Sequence, residues 1–149
     1  RRFVFFGSAN NLLFFSRLKK FQDRVVEAGR YCMEHVEVDI NIMPEEEIMK
    51  RAVRAFAPMV GCDDPIGIFN SADIYAPTLY QALLSLGFKP MHDIQIVSCD
   101  NNEEYLKHLT ARPPSIDIKM REIGTTAAEM ALGDPDSNEK IILTPELKF

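Results

Sequence analysis

Short apolar runs alternate with longer segments of helical spacing along the whole chain. Phe3–Phe6 is aromatic and apolar, ends at Gly7-Ser8, and predicts a buried strand. From Leu12 to Ala28, the positions Leu13, Phe14, Leu18, Phe21, Val25 and Ala28 fall on one side of a helix that Gly29 closes. His35–Ile40 alternates as a second strand. Pro44 then stands at a first helical position, with Glu45-Glu46-Glu47 in the first turn, where the helix dipole favours acids. That helix runs to Phe56, and Pro58 and Gly61 mark the loop beyond.

Pro65–Phe69 is the third strand. A helix over 72–86 follows, capped by Asn70 or Ser71 and closed by Gly87, with Pro77 shifting its start or kinking it. Ile94–Cys99 is the fourth strand, and Asp100-Asn101-Asn102 leads into a short amphipathic piece ending near Leu109. After Pro113-Pro114, Ser115–Ile118 is a short fifth strand and Lys119–Leu132 a further helix. Gly133-Asp134-Pro135-Asp136 reads as a turn, and Glu139–Phe149 as a last extended segment. Strands alternating with helices of this length predict right-handed βαβ units and a parallel, doubly wound sheet, an α/β fold of flavodoxin-like form. Ligands of such sheets sit beyond the carboxyl ends of the strands. Here those ends carry Gly7-Ser8-Ala9-Asn10, Asn41, Asn70-Ser71 and Asp100-Asn101-Asn102, a row rich in amides and poor in catalytic residue types.

Composition narrows the choice of function. The 149 residues are 46% hydrophobic and 26% charged, which suits one globular domain. No apolar run approaches the ~20 residues of a membrane span, so no membrane partner is expected. The net charge of −5 disfavours direct nucleic-acid binding by the chain as a whole. The charge is uneven: residues 1–30 hold seven basic and two acidic side chains, the remainder ten and twenty. The basic end fits a phosphate contact or, more simply, a solvated helix face. Three cysteines, Cys32, Cys62 and Cys99, lack metal-ligand spacing and point to a reducing, cytoplasmic setting. The first residues, Arg1-Arg2-Phe3-Val4, have neither an initiator Met nor the apolar stretch of a signal peptide, and read as the start of a piece of a longer protein.

Reactive chemistry finds little support. Gly7–Asn11 follows a strand but lacks the glycines of GxGxxG and the lysine of GxxxxGK[ST]. A phosphoacceptor site needs acids after the first strand, where Gly7 and Ser8 stand. His35, His92 and His108 are far apart, so no metal is expected. Ser8 and Ser98 lack a nucleophile-elbow context. Cys99 beside Asp100 reads as a reactive thiol or, more simply, as a buried structural cysteine. No catalytic residue and no cofactor are assigned.

What remains is hydrogen bonding suited to a polyhydroxylated ligand. Asp100 accepts from adjacent hydroxyls, Asn70 both donates and accepts, and Arg17 offers a planar charged fork. Each also has a plainer reading: Asn70 as a helix cap, Asp100 as a turn cap, Arg17 as a surface residue.

At this point the chain resembles the ligand-binding core of LacI-type transcriptional regulators, a core shared with periplasmic sugar-binding proteins, and specifically its C-terminal half. Ser16-Arg17-Leu18-Lys19-Lys20-Phe21 resembles the family's S-x-R-x-x-G-F helix. Ile66–Ala72 resembles its A-x-x-x-x-N-D stretch. Ala82–Phe88 with Ile94–Asn101 is similar to A-L-x-x-x-G followed by D-I-x-V-x-G-x-D. Pro113–Ile116 resembles the P-P-L-T-T-V crossover, and Ile123–Ala128 the L-G-x-x-A helix. The departures are Ser71 for Asp, Lys20 for a small residue, and Asp117-Ile118 for Arg-Gln.

The resemblance implies one subdomain of a type I periplasmic-binding-protein-like core. Residues 1–118 would form the subdomain, and residues 119–149 a return segment packing on an N-terminal subdomain outside this chain. It implies effector contacts at Arg17, Asn70 and Asp100, with Ser8 nearby and a stacking ring among Phe14, Phe15 and Phe69. A homodimer would use Tyr75, Leu79 and Leu106. The effector would be a carbohydrate, with a nucleobase as the other choice, and operator DNA would be bound through a domain not present in this chain. Nothing would be chemically transformed. The rival readings are a periplasmic sugar-binding protein, a xylose-type regulator with an AraC-like DNA-binding domain, and a small α/β transferase.

Overall fold

The computed structural model describes residues 1–30, 33–133 and 140–149. Cys32 and residues 134–136 of the expected turn lie outside the described residues. A six-stranded sheet in the order β2-β1-β3-β4-β5-β6 organises the chain. The strands are β1 Arg2–Gly7, β2 Met33–Glu37, β3 Ile66–Asn70, β4 Ile94–Cys99, β5 Ser115–Asp117 and β6 Glu146–Lys148. The first five are parallel, as the βαβ pattern predicts, and β6 is antiparallel to β5. The helices are α1 Leu12–Glu27, α2 Glu45–Phe56, α3 Ala76–Ser85, the single turn α4 Glu103–Leu106, and α5 Met120–Leu132.

Side-chain alternation divides the sheet into two faces. Val4, Phe6, Ile66, Ile68, Ile94 and Ile96 pack with Ile48, Ala52 and Phe56 of α2 and Leu79 and Leu83 of α3 to form the main core. The opposite face carries Phe5 and Phe69, on which Phe21 of α1 lies, its ring stacked 5.5 Å from that of Phe69.

Several boundaries differ from the sequence reading. The second strand starts at Met33 and ends at Glu37, rather than spanning His35–Ile40. Its register against β1, Phe3↔Met33 through Gly7↔Glu37, is exhausted when β1 ends. Pro44 is the cap of α2 (ψ 152°) rather than its first residue, which leaves the three glutamates in the first turn. Neither Asn70 nor Ser71 caps a helix. Asn70 is still strand, a 3₁₀ turn over Asp73–Tyr75 follows Ala72, and Pro77 sits in the first turn of α3.

The last segment also needs correction. Glu139–Phe149 was expected to dock outside this sheet; of its described residues, Glu146–Lys148 instead pairs with β5, which otherwise presents an open edge, Ile116 with Leu147 and Asp117 with Glu146. Lys119, in a left-handed backbone conformation (φ 61°), fastens this edge by binding Glu146 at 3.0 Å and Glu122 at 3.4 Å. Lys148 and Lys119 together hold the Glu146 carboxyl down to about 2. The preceding helix, α5, buries no side chain.

Candidate functional site

The carboxyl ends of β4 and β5, with one side of α1, border a groove of about 820 Å³. Its walls are Leu13, Phe14 and Arg17 from α1, the Asp100–Glu103 loop after β4, and Asp117, Ile118, Met120 and Arg121 after β5. Arg17 is placed by helix periodicity: Leu18 beside it is buried against the sheet, so Arg17 projects along the sheet edge. Its Nη2 donates to Asp100 Oδ1 at 2.9 Å and its Nη1 to the Ser71 carbonyl at 2.5 Å. Its guanidinium carbon lies 5.3 Å from the centre of the Phe14 ring, within cation–π range. The Arg17 side chain is 12% exposed and that of Asp100 30%.

Asp100 is held out of line with its strand. It has φ 107° and Asn101 φ 51°, two successive residues in conformations that L side chains rarely adopt. Backbone of this kind concentrates where a side chain must be aimed for function. Burial raises the Asp100 carboxyl above the usual range, against the lowering pull of Arg17. Asn101 continues the wall, donating to Asp117 at 3.3 Å and accepting from Arg112 at 3.2 Å. Burial pushes the neighbouring Cys99 thiol up to about 12, which makes it a structural cysteine rather than a nucleophile.

Of the residues expected at the site, the structure brings Arg17, Asp100 and Phe14 together and leaves the others elsewhere. Asn70 is 0% exposed, because it shares strand parity with Ile66 and Ile68 and therefore points into the core. Its amide donates to the Ala72 carbonyl and to Ser98 Oγ, both at 2.8 Å. Ser8 is buried as well, donating to Asp39 at 3.3 Å. The Asn41 backbone N–H, with further hydrogen bonds from Asn10 and Asn41 side chains, holds the Asp39 carboxyl below the usual range. Phe69 belongs to the aromatic stack under α1 and lines a separate shallow groove with Phe21 and Lys20. Phe15 is exposed and does not line the groove.

Tyr75, Leu79 and Leu106 are 2%, 0% and 0% exposed within the chain itself. They are core residues, not a surface offered to a second copy. What α3 shows to solvent is Gln81, Leu84 and Ser85.

Asp73 escaped the sequence reading. It is fully buried and accepts from Ser98 Oγ, from Ser115 Oγ at 2.9 Å and from the Asn102 backbone N–H at 2.7 Å. It thereby ties β3, β4 and β5 together directly beneath the Asp100 loop. The available signal was a carboxylate three residues past Asn70, where Ser71 had been taken as the departure from pattern. Asp117 and Arg121 were missed as groove residues because they enter from the far end of the chain.

The family model described as "Periplasmic binding protein-like domain" matches residues 1–148. No curated protein sequence matches. Among solved structures, one similar to this chain is the probable maltose operon transcriptional repressor of Staphylococcus aureus (TM-score 0.79, 15% identity, covering 99% of this chain and 52% of that one). Another is a LacI-family transcriptional regulatory protein from Corynebacterium glutamicum (TM-score 0.76, 18% identity, 98% of this chain and 56% of that one). A third is a LacI-family regulator from Enterococcus faecium with bound ribose (TM-score 0.73, 16% identity, 99% of this chain and 54% of that one). The chain thus spans about half the length of the structures it matches. Its sheet topology and the family match over nearly all its length agree, and the chain belongs to the periplasmic binding protein-like domain family.

Proposed function

We propose that the chain is half of the effector-binding core of a LacI-family transcriptional regulator and that its groove takes a sugar. The observation that carries this reading is the convergence of Arg17 and Asp100 at 2.9 Å on the carboxyl edge of a parallel sheet, beside the Phe14 ring. A guanidinium fork and a carboxylate offer donors and acceptors to adjacent hydroxyls, and an aromatic face packs on a sugar ring. The two Enterococcus neighbours with bound ribose support the same ligand class. A second subdomain, outside this chain, closes the groove from above. The exposed Met120, Ile123 and Met130 lie on one side of α5 and pack on that subdomain.

The mechanism is conformational. Ligand favours one closure angle of the two subdomains, and closure shifts the DNA-binding heads of a dimer. The neighbours' identity as transcription regulators supports binding rather than turnover.

The test is thermal unfolding of the full-length protein with ribose, hexoses and hypoxanthine. A sugar at a hundred times its dissociation constant adds about 2.7 kcal/mol. A rise of several degrees with a sugar, abolished in Asp100→Ala, supports the reading. A rise with hypoxanthine alone, or one that survives Asp100→Ala, contradicts it.

A further inference from the structure

The charges lining the groove are unevenly neutralised. Arg17 is paired with Asp100 at 2.9 Å, and Glu103 with Arg112 at 2.7 Å. Asp117 also lines the groove, half-buried, yet no cation lies within 4.0 Å of it among the described residues. Lys119, two residues on, turns its ammonium to Glu122 and Glu146 instead. Arg121, the remaining charged lining residue, is exposed on α5, where solvent screens it.

Asp117 is nevertheless rigidly held. Its Oδ1 accepts from the Lys119 backbone N–H at 2.8 Å and its Oδ2 from the Asn101 amide at 3.3 Å. Asn101 in turn is oriented by Arg112. An ionised carboxylate has about four lone-pair positions, and these contacts occupy two. The groove thus presents a fixed acceptor pair with uncompensated negative charge.

We propose that Asp117 is a specificity residue that selects an amine-bearing polyol, an amino sugar, over its neutral parent and over sugar phosphates. The inference rests on the sugar-binding reading above and names the ligand subclass within it. A ligand ammonium supplies the missing cation, and a charge-assisted hydrogen bond in a partly desolvated groove is about twice as strong as a neutral one. A phosphate meets the unpaired Asp117 as a like charge and is disfavoured.

The experiment is calorimetric titration of the full-length protein at pH 6.5. Glucosamine, galactosamine and mannosamine are compared with glucose, galactose and mannose, in wild type and Asp117→Asn. The expected result is at least one amino sugar bound about tenfold more tightly than its parent, with that ratio collapsing toward one in Asp117→Asn. In wild type the preference also fades at pH 9, where the amine is neutral, which tests the claim without a substitution. A parent sugar bound as tightly as its amine, or a preference that survives Asp117→Asn or pH 9, overturns the inference while leaving the sugar-binding reading intact. No binding of either class overturns both.

Discussion

The Asp73 carboxylate accepts the backbone N–H of Asn102 at 2.7 Å, joining the turn after β3 to the loop that aims Asp100 into the groove. The two residues are 29 positions apart. The same carboxyl group receives the Ser98 and Ser115 hydroxyls, so one buried side chain sets the relative positions of three strand ends. Such a network is strong when complete and costly when broken.

Asp73→Ala leaves the Asn102 N–H without an acceptor and two hydroxyls under-satisfied. At roughly 1–3 kcal/mol for an unsatisfied buried group, the expected loss is about 3 kcal/mol. That is roughly 6–12 °C in Tm at this size. Ligand affinity should fall as well, because the Asp100 loop loses its anchor. Chemical denaturation checks the first effect and titration the second, and a variant as stable as wild type refutes the role given to Asp73.

Gly7 has φ 151° and no room for a side chain: a Cβ there meets Ser71 Oγ at 1.7 Å and Ser71 Cβ at 2.5 Å. Gly7→Ala should cost about 2–3 kcal/mol through overpacking. Adding Ser71→Gly removes both clashing atoms and should recover part of that loss, the remainder being the strain of a Cβ at φ 151°. Denaturation midpoints of the single and double variants decide it, since additive losses contradict the contact.

The Asp100 carboxyl makes stability depend on pH. Burial raises its carboxyl above the unfolded value despite Arg17, so the folded protein holds this proton more readily than the unfolded chain. Its contribution to stability is therefore full below the ordinary Asp range and is lost as pH rises through the raised value. Asp100→Asn should match wild type at pH 3 and unfold at a higher temperature at pH 7, while binding sugar at least tenfold more weakly. A lower Tm for the variant at pH 7 contradicts this.

Much of the fold was legible in the sequence. The alternation in Ile94–Cys99 gives that strand its full length, and glycines after the helical stripes mark two helix ends. The groove pair Arg17 and Asp100 was legible too, since both sit where a strand or helix meets the carboxyl edge. Asn70 was misplaced because position after a strand was weighed above strand parity, and parity turns it into the core with Ile66 and Ile68. Tyr75, Leu79 and Leu106, placed at an interface by the resemblance, are core residues, and a helical apolar stripe looks the same whether it meets a partner or its own sheet. Asp117 and β6 depend on pairing that brings residues 115–117 and 146–148 together, a long-range register that local pattern does not encode.

The central claim is that Arg17 and Asp100 form the floor of a sugar site. Calorimetric titration into the full-length protein of the sugar that most raises its melting temperature, wild type against Arg17→Ala, tests it most directly. Loss of a charged donor to the ligand should weaken binding by about 2 kcal/mol, a factor of roughly thirty. Equal affinity in the two proteins would place the ligand elsewhere and contradict the account.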